Sequence, residues 1–120
     1  MDYKQLTPMF YTSGISTHYD LPQRVFKFMQ SVYPNLNNTD IEVIHTDLTE
    51  DNVFGWTLEN NDQNEIEIHD TLSEKDFITT LIHELIHVDQ NIRGLLDDTE
   101  RENEAYKLEG MLTEKFMTEC

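Results

Sequence analysis

Apolar residues recur at helical spacing in three stretches of the chain and follow a strand pattern in three others. Leu21, Val25, Phe28 and Met29 form one apolar face and predict a helix from Asp20 to Tyr33. Asp20 stands at the N-cap position and Pro22 suits a first turn, while Pro34 and the run Asn35-Leu36-Asn37-Asn38 end the helix. Three strands are predicted next. In Ile41 to Thr46 the residues Ile41, Val43 and His45 share a face; Val53 to Leu58 is rich in β-formers, with Gly55 as a candidate bulge. Glu65 to His69 alternates strictly, with Ile66 and Ile68 on one side and Glu65, Glu67 and His69 on the other. The polar run Glu59 to Asn64 reads as a turn between the last two strands.

Two helices close the chain. One runs from Glu74 to Ile92, with Ser73 and Asp76 as a capping-box pair and Gly94 as its stop. The other starts near Thr99, paired with Glu102 in the same way, and carries Ala105, Leu108, Leu112 and Phe116 on one face. The expected fold class is α+β: a backing helix, a small and mostly antiparallel sheet of about three strands, and the two C-terminal helices. At 120 residues there is room for a single domain over 1–120.

The Glu74–Ile92 helix contains His83-Glu84-Leu85-Ile86-His87, an HExxH motif. Residues four apart lie one turn apart on one helix face, so both imidazoles reach one metal ion. Glu84 sits about 100° further round, clear of the ion and close enough to hold an attacking water. A zinc ion bound this way acidifies water, and Glu84 has the chemistry of a general base that later acts as general acid. The rest of the helix agrees. Phe77, Ile78, Leu81, Ile82, Leu85, Ile86, Val88 and Ile92 form a broad apolar arc, and Asp76, Thr80, His83, Glu84 and His87 occupy the remaining face.

Composition narrows the partners. The chain has 8 Lys+Arg against 24 Asp+Glu, a formal charge of -16. Binding to a nucleic-acid backbone or an anionic membrane needs the opposite sign. The charge would favour basic peptides in an acidic cleft, or serve solubility alone. One cysteine excludes an internal disulfide. With no signal-peptide pattern at the start and no apolar run of ~18 residues, the expected location is cytoplasmic.

A helix, a small sheet, an HExxH helix and a glutamate-bearing helix together resemble the minimal layout of zincin metallopeptidases. The resemblance covers about residues 20 to 119, and its specific part is the HExxH segment. The chain looks most like the gluzincins in stripped-down form, such as the minigluzincins, and is similar to small phage and bacterial HExxH peptidases. This resemblance implies a Zn2+ cofactor and a peptide or protein substrate. It implies that Val53 to Leu58 is the edge strand bordering the cleft and pairing with substrate. It also implies a third ligand on the last helix, since catalytic zinc keeps three protein ligands and one open position. The metzincin variant is excluded, because His87-Val88-Asp89-Gln90-Asn91-Ile92-Arg93 lacks the required Gly and His.

Glu102 is the first choice for that ligand. Glu102-Asn103-Glu104-Ala105-Tyr106 follows the gluzincin ExxxD pattern except that Tyr106 stands in place of the Asp that orients a zinc histidine. Glu104 is the second choice, followed by Glu100, Asp97 and Asp98. The other reading of these acids is a helix start that complements its own dipole. His45 and His69 are candidate oxyanion donors, although solvated strand residues are commoner; Tyr106 is a further oxyanion candidate. Trp56 reads as a core or cleft-wall residue, and Cys120 as a candidate latency ligand or a frayed terminus. With little chain before the sheet, the pocket should be shallow, and a protein partner would then supply part of the specificity. Two other functions fit the sequence: a module of the same fold without turnover, and an acidic mimic of nucleic acid that blocks a basic partner.

Overall fold

The computed structural model describes residues 9–60 and 63–119. Its elements are β1 (Phe10–Ser13), α1 (Leu21–Val32), β2 (Asp40–Thr46), β3 (Gly55–Asn60), β4 (Gln63–His69), α2 (Glu74–Arg93) and α3 (Asp98–Glu119), with short 3-10 turns at Pro34–Asn38 and Thr49–Asp51. The fold is α+β, as expected, but the sheet differs from expectation. It has four strands in the order β1-β2-β4-β3. β1 pairs parallel with β2, β2 pairs parallel with β4, and only β3 and β4 are antiparallel. The sheet is therefore mixed, not mostly antiparallel.

Both differences have physical causes. β1 is short and only Phe10 packs inward, stacking on Phe26 at 4.1 Å between ring centroids, so it has no alternation to read. β2 and β3 are consecutive in sequence, yet β4 inserts between them. Residues 47–54 cross the end of β4, where Leu48 N donates to His69 Nδ1 at 3.0 Å and His69 N donates to the Phe54 carbonyl at 2.7 Å. That crossing makes β3 an edge strand and β4 an internal one.

One face of the sheet is buried. Ile41, Val43, Ile66 and Ile68 join Val25 and Met29 of α1, Phe77, Leu81 and Leu85 of α2, and Ala105, Leu112 and Phe116 of α3 in one core. Each of these side chains other than Ala105 contributes about 1.5–3 kcal/mol by leaving water. The apolar arc of α2 is buried in this core, which aims its polar stripe at the side bordered by β3 and α3.

The cap readings hold at α2, whereas at α1 the first-turn Pro22 and the stop before Pro34 hold and only the N-cap readings of α1 and α3 fail. Ser73 Oγ accepts from Asp76 N at 3.2 Å, and Gly94, with φ +74°, closes α2 in the left-handed conformation. Asp20 makes no capping bond, because its own backbone is already helical. α3 begins at Asp98, and Asp97 Oδ1 accepts from Glu100 N at 2.9 Å, so Asp97 is the cap in place of Thr99. Gly55 is not a bulge: the ladder runs unbroken from Gly55 opposite Ile68 to Asn60 opposite Gln63. Its glycine is a close-approach residue, since a Cβ there would lie 2.9 Å from Thr80 Cγ2 and 3.0 Å from the Glu67 carbonyl oxygen. Among the described residues, no helix is long and apolar enough to cross a membrane.

Candidate metal centre

α2 presents His83 and His87 one turn apart with their rings nearly perpendicular, at 83°, and their Nε2 atoms 3.1 Å apart. Gly94 ends α2, and the following turn brings α3 back against it. Ala105, fully buried, lets the two helices approach. Glu102 then spans both rings: Oε1 lies 3.2 Å from His83 Nε2 and Oε2 lies 3.2 Å from His87 Nε2. Glu102, Tyr106 and Glu109 share one stripe of α3, at three- and four-residue spacing.

The partners of the far ring nitrogens fix the tautomers. His83 Nδ1 donates to Glu109 Oε1 at 2.7 Å. His87 Nδ1 donates to Gln90 Oε1 at 2.7 Å. The Gln90 amide is itself oriented, since its Nε2 donates to the Arg101 carbonyl at 2.9 Å and to Glu104 Oε1 at 3.0 Å. With both protons on Nδ1, the neutral rings turn Nε2 lone pairs toward each other and toward a carboxylate. Such a convergence of acceptors is repulsive by itself and is relieved by a cation at its centre. Tetrahedral zinc with bonds of 2.0–2.1 Å separates its ligand atoms by about 3.3 Å. The observed spacings of 3.1 and 3.2 Å match that requirement. These residues therefore fit a zinc ion, and His83, His87 and Glu102 are the set that would hold it.

Glu84 lies beside this set, 5 % exposed. Thr57 on β3 donates its hydroxyl to Glu84 Oε1 at 2.8 Å. Burial pushes the Glu84 carboxyl above the usual carboxylate range, against the opposing pull of the Thr57 hydrogen bond. Glu84 and the histidines open onto a cleft of about 880 Å3 between β3, α2 and α3. β3 supplies the free edge of its wall. Phe54 accepts from His69, so the alternate residues Gly55, Thr57 and Glu59 turn their backbone N–H and C=O groups outward.

The other sequence candidates fall in several places. Glu104 is engaged elsewhere: it forms an ion pair with Arg93 and accepts from Gln90 at 3.0 Å. Asp97 is the helix cap, Asp98 lines the cleft, and Glu100 does not line it. The Tyr106 ring lies against His83, 4.9 Å between centroids. Trp56 lines the cleft and donates its indole N–H to Glu67. His45 is not a solvated strand residue. It is buried, stacks on Phe77 and donates Nδ1–H to the Ser13 carbonyl at 3.0 Å, away from the cleft. His69 secures the 47–54 crossing and bonds Thr71 at 2.9 Å, also away from the cleft. Cys120 lies outside the described residues.

Three residues escaped the sequence reading. Glu109 lies two turns after Glu102 on the same stripe, and Gln90 lies one turn after His87; both spacings were available as signals. Thr57 had no signal, because its position depends on strand order. No protein-family model, no curated protein and no solved structure matches this chain.

Proposed function

We propose that the protein is a small zinc metallopeptidase of gluzincin type, in which His83, His87 and Glu102 hold the ion. The observation that carries this reading is the convergence of two histidine Nε2 lone pairs, each ring held by a hydrogen-bonded partner, and one carboxylate, beside a buried glutamate in an open cleft. When bound, zinc supplies Lewis acidity, lowering the pKa of a water molecule and polarising a carbonyl.

The chain's own residues do the rest. Glu84 takes the proton of the attacking water on a carboxylate oxygen and passes it to the leaving amine nitrogen. Its raised affinity for protons suits it to both steps, and the Thr57 hydroxyl keeps the carboxylate in one orientation. The outward backbone groups of Gly55, Thr57 and Glu59 hold an extended peptide by strand addition, laying it across the histidines. Glu109 and Gln90 keep the imidazoles in the ligating tautomer.

The test is cleavage of unstructured peptides by the zinc-loaded chain beside Glu84→Gln. Cleavage that Glu84→Gln loses while keeping its zinc supports the proposal. Zinc binding with no cleavage in either form assigns the domain to binding without turnover.

A further inference from the structure

The cleft is not uniformly charged. Three of its carboxylates are committed: Glu84 to Thr57, Glu102 to the histidine pair, and Glu109 to His83. Two carboxylates remain, at opposite ends. Asp98 lies at the start of α3, where the cleft also holds Arg101. Asp76 lies at the start of α2, and no lysine or arginine lines that end of the cleft. Among the described residues, no side chain pairs with the Asp76 carboxylate. An acid in a first turn favours its own helix dipole, but Glu74 meets that need in the same turn.

Asp76 is placed to meet substrate. On α2 it lies within about 40° of the stripe that carries Thr80, His83 and His87, and its side chain is exposed. One turn further along α2, Gly55 of β3 approaches Thr80, and Phe54, 55 % exposed, precedes Gly55 in the wall of the same cleft. Asp76 is seven residues before His83, roughly 10 Å along the helix at about 1.5 Å per residue. An extended peptide covers that span in about three residues.

Resting on the metallopeptidase reading, we propose that the preferred substrates are peptides carrying arginine or lysine about three residues from the scissile bond, on the side lying over Asp76. The cationic head pairs with Asp76, and its aliphatic stem lies on Phe54. An acidic residue at that position meets an uncompensated carboxylate and is disfavoured. At the far end Asp98 and Arg101 offset each other, so no matching preference arises there.

The experiment compares one neutral peptide scaffold carrying Arg, Ala or Glu at the third position on either side of the cleaved bond. The zinc-loaded wild type should cleave the Arg form with a kcat/KM roughly threefold above the Ala form, the range of an exposed ion pair, and the Glu form should be slower than Ala. The preference should lie on one side of the bond only and shrink at high salt. It should vanish in Asp76→Asn and reverse in Asp76→Lys. Equal rates for the three peptides in wild type, or an Arg preference retained in Asp76→Asn, overturns the proposal while leaving the metallopeptidase reading intact. Absence of cleavage of all three peptides, with wild type no better than Glu84→Gln, overturns both.

Discussion

Glu109 Oε1 accepts the Nδ1 hydrogen of His83 at 2.7 Å, from two turns beyond Glu102 on α3. The gluzincin pattern places an orienting carboxylate one turn after the ligand, where this chain has Tyr106. On the gluzincin reading proposed above, Glu109 would take that place one turn further along the same stripe, and the Tyr106 ring lies against His83, tilted by 58°. The two histidines are therefore backed unequally, His83 by an anion and His87 by the neutral Gln90 amide.

This arrangement predicts that Glu109→Ala weakens zinc binding by about 10–100-fold. Glu109→Gln keeps a hydrogen-bond acceptor and loses the charge, so its loss should be smaller. Tyr106→Phe should bind zinc as wild type does. Competition against a chromophoric chelator measures all three. Equal affinity in Glu109→Ala would show that the contact does not orient the ring.

Glu102 and Glu104 are expected to separate cleanly. Glu102→Ala should lose the ion while folding normally. Glu104→Ala should keep one zinc per chain and lose roughly 1 kcal/mol of stability, because Gln90 and Arg93 lose their shared acceptor. Its hydrogen bond from Gln90, followed by Arg93, holds the Glu104 carboxyl below the usual range. A depressed folded pKa stabilises the fold above the unfolded carboxylate range and loses that contribution as pH falls through the folded value. Urea unfolding should therefore show the Glu104→Ala deficit at neutral pH and its disappearance in acid.

Thr57→Val tests the base. The Thr57 hydroxyl favours the charged form of Glu84, while burial favours the neutral form. Removing the hydroxyl raises the Glu84 pKa further. The acid limb of kcat/KM against pH should then move to higher pH, with zinc content unchanged. A profile identical to wild type would detach Thr57 from the acid–base chemistry.

Much of this was legible in the sequence because the relevant signals are local. The HExxH spacing, the apolar arc of α2, the Ser73 cap and the Gly94 stop all act within a few residues, and each appears as read. The geometry groups Glu102 with the two histidines and leaves Glu104 on Arg93 and Gln90, a distinction that periodicity alone does not make between residues two apart on a helix start. What was illegible is set by distant parts of the chain. Strand order depends on the 47–54 crossing, β1 is defined by its partner β2, and the pairing of Thr57 with Glu84 follows only once β3 is at the edge. His45 shows the same limit. An alternating strand places it on the inner face, but Phe77 and the Ser13 carbonyl decide that the site is closed to water.

The most direct test of the central claim is the zinc content of the purified, metal-loaded full chain, measured beside His83→Ala, His87→Ala and Glu102→Ala, each checked for folding by circular dichroism. The account predicts one zinc per chain, removed by a strong chelator together with any activity, and lost in all three folded variants. A wild-type chain that takes up no zinc at neutral pH, or one whose zinc survives Glu102→Ala, would contradict it.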